Sequence, residues 1–308
     1  MVEIEGSTFN SNSFIFNANG VAPDNFIVIF NVKGESITFA NCDFSSLDGY
    51  ANRVIWNMPD VNTIRSSVDT IYGSIVAPKA YFTAEKGTIQ GQIIVKNLNG
   101  PLEVEWVPFD GCIPVDSPDV IIDPVIEPDS DIEDEQINSE PESEPENYDL
   151  NGQCSSDNPL GVVSNFGAFT FGDFTGMGSD VQGRVGCKGK LSVTGYAINQ
   201  EVYGTGNNNR FKCNEGPLKD DFQYAIVAGT LSIQNSGVSN GGIIYGDNDD
   251  DVVDYIKNNV INDGCKYHND PSISDFFDKQ ENNMIDLSKK LGKLEDTNSV
   301  NIKNFYKL

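Results

Sequence analysis

Short apolar runs closed by turn residues recur on both sides of the chain's middle, and they limit what it can fold into. Phe26-Ile27-Val28-Ile29-Phe30, Val54-Ile55-Trp56, Ile75-Val76 and Ile93-Ile94-Val95 stand in the first part; Ala225-Ile226-Val227 and Ile243-Ile244-Tyr245 stand in the last. Runs this short, rich in β-branched residues and bounded by Gly, Asn and Asp, read as strands of about five residues. Some of them repeat. Gly73-Ser74-Ile75-Val76-Ala77 and Gly91-Gln92-Ile93-Ile94-Val95 lie 18 residues apart, with Tyr81-Phe82-Thr83 as a strand between them. Val181-Gln182-Gly183-Arg184-Val185 echoes Ile89-Gln90-Gly91-Gln92-Ile93 from across the middle of the chain. A small residue followed by alternating apolar ones, at the length of one coil, predicts a parallel β-solenoid (β-helix). Each coil of such a fold buries its apolar face only when neighbours stack on it, and glycine permits its sharp corners. A β-sandwich is the competing architecture for strands this short.

Helical periodicity is nearly absent from the first part and clear near the C-terminus. Ile273, Phe277, Met284, Leu287, Leu291 and Leu294 share one face of a helix, with Ser272 or Ser274 as its cap and Asp275 in its first turn. Val252, Val253, Ile256 and Val260 mark a shorter helix from Asp250 onward. The expected fold is therefore mostly β, a parallel β-solenoid with one or two flanking α-helices near the C-terminus.

Charge divides the chain. Residues 113–150 hold 14 Asp or Glu, six of the 14 prolines and no Lys, Arg or His. Self-repulsion and proline should keep such a segment extended and unpacked, so residues 113–153 read as an acidic, disordered linker between flanks 1–112 and 154–308. The whole chain carries 46 acids against 20 bases, a net charge of −26. That excludes unaided binding to nucleic acid and to anionic lipid, and it leaves uncharged surfaces such as glycans open. No apolar run reaches the roughly 18 residues of a membrane helix. A single histidine, His268, leaves no material for a His-dependent triad or a multi-His metal site. No catalytic, cofactor-binding or metal-ligating residue is singled out, no cofactor is expected, and a non-enzyme is the reading.

Six cysteines, Cys42, Cys112, Cys154, Cys187, Cys213 and Cys265, are even in number and widely spaced without a CxxC pair. They read as disulfide candidates of a secreted protein, and Cys112 with Cys154 would close the linker into a loop. The alternative is six buried thiols in a cytosolic protein. Met1-Val2-Glu3-Ile4-Glu5 lacks the basic start and apolar core of a signal peptide. None of the 34 asparagines stands in an N-x-Ser/Thr acceptor, so Asn-linked glycosylation is not expected. Asp247-Asn248-Asp249-Asp250-Asp251 lacks the alternating spacing of a calcium loop and reads as a solvated turn before a helix. Gly204-Thr205-Gly206 lacks a strand-to-helix context and reads as a loop. Tyr72, Tyr81, Phe82, Trp106 and Trp56 could offer stacking to a glycan, but Trp56 and Phe82 sit in strand patterns that place them in a core.

The order of these pieces resembles the choice-of-anchor A domain, an adhesive module of anchored surface proteins. Gly167-Ala168-Phe169, Ser179-Asp180-Val181-Gln182-Gly183-Arg184-Val185 and Leu191-Ser192-Val193-Thr194-Gly195-Tyr196 look like its opening. Tyr224-Ala225-Ile226-Val227-Ala228-Gly229-Thr230-Leu231, Gly241-Gly242-Ile243-Ile244-Tyr245-Gly246 and the helix ending Leu287-Ser288-Lys289-Lys290-Leu291 follow in family order. Its closing part is similar to Arg53-Val54-Ile55-Trp56-Asn57-Met58-Pro59-Asp60, Tyr72-Gly73-Ser74-Ile75-Val76-Ala77-Pro78 and Lys96-Asn97-Leu98. Residues 1–112 thus resemble a domain's second half and residues 154–308 another's first half. Either the chain is cut from a tandem array, or its halves face each other within one permuted module. The resemblance implies a non-catalytic extracellular or cell-surface module, an adhesin, meeting an unknown surface, glycan or protein. An ice-binding β-solenoid is the alternative; it needs a broad Thr or Ser row, and the twelve threonines show no regular spacing. A polysaccharide-cleaving β-helix is the third reading, weakened by the single histidine.

Overall fold

A computed structural model describes residues 1–10, 16–17, 26–40, 42–113, 158–199, 224–238, 241–248, 250–260, 265 and 267–294. Every strand pair among them is parallel, and the chain winds as a β-solenoid, not a sandwich. One sheet runs through Val2–Glu5, Val28–Lys33, Val54–Asn57, Ser74–Ala84, Ile93–Asn99, Phe166–Thr170, Arg184–Thr194, Tyr224–Gln234, Gly242–Tyr245 and Tyr267–Asn269 in that order. The second sheet holds Thr70–Tyr72, Thr88–Gly91, Glu103–Trp106, Asp180–Val181, Ala197–Ile198 and Gly237–Val238. The 18-residue repeat is one turn of the solenoid, since Ile75 pairs with Ile93 and Val76 with Ile94. The echo across the middle is the same columns two coils on. Ile89 and Val181 both pair with Val104, and Ile93 connects to Val185 through Ala168.

Not every strand is short. Ser74–Ala84, Arg184–Thr194 and Tyr224–Gln234 are each 11 residues long, so Tyr81-Phe82-Thr83 continues a strand instead of forming its own. The pairing register shifts between Ala77 and Tyr81 and between Cys187 and Lys190. At these shifts the large sheet turns a corner, which gives a first panel, a second panel beside it, and the smaller sheet as a third. The second panel also holds Ser36–Phe39, Thr63–Ser66 and Phe174–Met177. Gly100 shows what a corner requires. Its φ is 123°, and a Cβ there would lie 2.0 Å from the Ala84 carbonyl oxygen of the coil beneath, so only glycine fits.

The interior is one apolar column formed by both flanks. Trp56 is fully buried, stacks on Phe30 with centroids 4.4 Å apart, and donates Nε1–H to the Tyr72 carbonyl at 2.8 Å. Phe82 is buried as well, so both aromatics take the core role their patterns predict.

Two helices flank the coils: α1 (Asp250–Asn259) and α2 (Ile273–Leu291). At roughly 1.5 Å per residue, α2 is about 28 Å long and lies across the outside of the first panel. Its apolar face packs on the panel's outward Ile29, Ile55, Val76, Ile94 and Phe169. That explains why this panel is apolar on both sides. Ser272 stands at the N-cap position, yet its hydroxyl donates to the Asp270 carboxylate at 2.7 Å and makes no cap bond to the helix.

The two flanks join within the same sheets. Ile93–Asn99 of the first pairs with Phe166–Thr170 and Phe174–Met177 of the second, and Glu103–Trp106 pairs with Asp180–Val181. Side chains add bonds across the seam. Gln92 Nε2 donates to the Ser164 and Phe166 carbonyls at 2.8 and 2.7 Å, and the Tyr196 hydroxyl donates to the Leu102 carbonyl. The expected disorder of residues 113–153 falls outside the described residues, apart from Ile113, which is buried.

Candidate binding face

The three panels offer three different exteriors. The first is covered by α2. The third presents Glu103, Glu105 and Asp180 beside Thr88 and Tyr72, with the Thr88 hydroxyl donating to Glu103 Oε2 at 3.1 Å. Burial pushes the Tyr72 phenol up from its ordinary value, and Asp48, Asp43 and Glu105 push it the same way. This exterior is negative.

The second panel is uncovered and close to neutral. Its strands alternate between buried Ile, Leu, Val, Phe and Ala and outward small polar residues, as a strand with one wet face must. Register aligns the outward residues into rows. One row runs Thr38, Arg65, Thr83, Asn99, Thr175, Ser192 and Ser232. A second begins Ser36, Thr63, Tyr81, Asn97 and ends with Lys190 and Thr230; a short third holds Met177, Thr194 and Gln234. Successive members sit roughly 4.8 Å apart, the spacing of parallel strands. Within these described strands no outward position is acidic, and Arg65 and Lys190 are the charged ones; at their ends exposed Asp173 precedes Phe174 and accepts the Lys190 N–H, and exposed Glu85 follows Ala84. Tyr81 stands out of the panel at 58% exposure and Met177 at 67%. In a chain of net charge −26, a face of stacked hydroxyls and amides with few acids at its margins is the most distinctive surface of the molecule.

Sequence reading missed this face because coil length varies. From Arg65 to Thr83 is 18 residues, Thr83 to Asn99 is 16, Thr175 to Ser192 is 17 and Ser192 to Ser232 is 40. Threonines therefore show no fixed period along the chain, although they align in space. The usable signal was local: each outward residue follows a buried partner one position away, as Thr83 follows Phe82.

The remaining candidates separate in space. Tyr81 belongs to the second panel, Tyr72 and Trp106 to the third, and Trp56 and Phe82 to the interior. Cys42 and Cys187 are thiols, not halves of bridges. This corrects the expectation for those two: Cys187 is fully buried inside a coil, and burial pushes its thiol up to about 12. Cys154 and Cys213 lie outside the described residues, as does Gly204-Thr205-Gly206. Of the Asp247–Asp251 segment, Asn248 Oδ1 accepts the Leu231 N–H at 2.9 Å, and α1 begins at Asp250, which is a turn before a helix. An open groove beside the start of α2 holds Asp173, Lys188 and Lys190. Lys188 pairs with Asp278, and Asp173 accepts the Lys190 N–H at 2.8 Å, so these charges are engaged in structure. His268 lies on the last strand of the large sheet, paired with Ile244. Among the described residues no three His, Cys, Asp or Glu side chains converge as metal ligands, and no helix is long and apolar enough to cross a membrane.

Neither the curated proteins nor the solved structures contain a match to the chain. A family model described as "Putative Ice-binding-like adhesive domain" matches residues 1–106 and 159–308, most of both flanks and none of the acidic segment between them. Its two matched stretches meet in the sheets described above, and the chain belongs to this ice-binding-like adhesive domain family.

Proposed function

We propose that the chain is a non-catalytic adhesion module of an extracellular or cell-surface protein, and that the second panel is the face that adheres. One observation carries the reading: the panel is the uncovered, acid-poor wall of an otherwise strongly acidic solenoid, with hydroxyls and amides repeated in rows. A rigid array of this kind gains affinity from many weak contacts and from additional copies. The finer resemblance, to choice-of-anchor A modules, agrees with a surface location. Cys112 and Cys265 as bridged cysteines would fit an oxidising compartment. Beads carrying the intact chain test the reading against a panel of cell surfaces. The triple variant Thr83→Glu, Thr175→Glu and Ser192→Glu should lose adhesion, while Gln90→Glu on the third panel should keep it. Equal adhesion by both would refute the assignment of the face.

Ice binding is the second reading, and the aligned Thr38, Thr83 and Thr175 favour it, since they present hydroxyls on every second strand at one even spacing. Inhibition of ice recrystallisation by the intact chain, lost in the same triple variant, would establish it.

A further inference from the structure

We propose that the partner of the second panel is an uncharged, extended polysaccharide lying along the stacking axis of the coils, with Tyr81 as its aromatic platform. This rests on the reading of the second panel as the adhesive face and names what that face takes.

Charge narrows the partner first. A polyanion would approach a molecule of net charge −26 and find on this panel only Arg65 and Lys190, which stand on different coils four strands apart. That is roughly 19 Å at the parallel-strand spacing, too sparse to offset the repulsion. A polycation would look for carboxylates and would find them on the third panel instead. A neutral partner meets neither obstacle.

Shape narrows it further. A folded protein partner needs a contiguous apolar patch at the centre of its contact. The large apolar groups here, Tyr81 and Met177, stand on separate coils and in separate rows, with polar residues between them. What the panel does supply is repetition. Thr and Ser hydroxyls both donate and accept, and Asn and Gln amides do the same. These groups recur at every coil along a line of roughly 29 Å, seven strands at the same spacing. A sugar chain repeats hydroxyls along a straight backbone and meets such a line without bending. Tyr81 adds a flat, exposed ring between Thr63 and Asn97 in its row. An aromatic face packs well on the apolar side of a pyranose ring, with its hydroxyl left for hydrogen bonding.

Calorimetry on the intact chain tests the proposal with two neutral probes, mixed-linkage β-glucan and glucomannan, and two anionic ones, polygalacturonate and alginate. Binding to a neutral polymer is expected, with none to the anionic pair. Tyr81→Ala should weaken it about tenfold, Thr175→Glu should abolish it, and Tyr72→Ala should leave it unchanged. Far-UV circular dichroism of each variant separates loss of binding from loss of fold. Preference for the anionic probes, or neutral binding indifferent to Tyr81→Ala and Thr175→Glu, would overturn the proposal. If no polysaccharide binds while the triple glutamate variant still loses adhesion or ice activity, this inference fails and the adhesive face stands. If that triple variant also changes nothing, the face itself is wrong.

Discussion

At the scale of single residues, the solenoid's tolerances are tightest where one coil's backbone rests on the next. Gly100→Ala would place a methyl carbon against the Ala84 carbonyl at a positive φ. Its cost should be at least about 1–3 kcal/mol, read as a lower denaturant midpoint with an unchanged slope. Cys187 gives a second residue-scale test. Its thiol titrates near 12 in the folded chain, against an ordinary value of 9.0. Below pH 9 both states are protonated and the group has no pH-dependent effect. Between pH 9 and 12 the unfolded thiol loses its proton and the folded one keeps it, so stability falls as pH rises. Relative to Cys187→Ala, the native chain should lose about 1.4 kcal/mol more per pH unit across that window. Equal slopes would show that the thiol is not buried as described. Corner glycines were legible in the sequence because turn residues bounded each apolar run. The state of Cys187 was not, since nothing in its neighbours distinguishes a cysteine inside a coil from one at a seam.

At the scale of elements, α2 is what makes a two-sided apolar panel possible. Its stripe was legible from Ile273 to Leu291, because a core-facing helix writes its period into the sequence. What it packs on was not. The clue lay in Ile29, Ile55, Val76 and Ile94, each next to an inward-facing apolar residue, so that the strands read as continuous runs without alternation. Phe277, fully buried and 5.1 Å from the Phe169 ring, anchors the docking. Phe277→Ala should cost about 3–5 kcal/mol and raise amide exchange in the first panel before the second. At the other end of α2 a buried polar cluster fixes its position. Asn57 Nδ2 donates to Asn31 Oδ1 at 2.6 Å and to the Ser288 carbonyl at 2.9 Å, and the Ser288 hydroxyl donates to Asn57 Oδ1 at 2.6 Å. Asn57→Ala would take the partners of Asn31 Oδ1 and the Ser288 hydroxyl from inside the helix–sheet contact, at about 1–3 kcal/mol. A double-mutant cycle with Ser288→Ala should return a coupling of about 1 kcal/mol; additive effects would show the two side chains do not meet.

At the scale of the whole molecule, the chain's two flanks behave as one body. Strands on either side of the acidic segment share both sheets, the apolar column runs through the seam, and α2, which belongs to the second flank, reaches Asn31 and Asn57 of the first. The architecture was legible because coil repeats and corner glycines are local. That the flanks complete each other was legible only as one of two options, since no local pattern records which coil stacks on which. The covalent link across residues 114–157 is then not what holds the flanks together. Placing a specific protease site within that segment and cutting the folded chain, with reductant present throughout so that no bridge from Cys112 tethers the pieces, should leave two pieces that co-elute in native buffer at the mass of the intact protein. In denaturant with reductant they should separate. On rapid dilution from denaturant, recovery of the cut protein should depend on concentration, as a bimolecular association requires, whereas the uncut chain should refold at a rate independent of it. Pieces that part in native buffer would mean that the seam is a weak contact, and that each flank finds its stacking partner elsewhere.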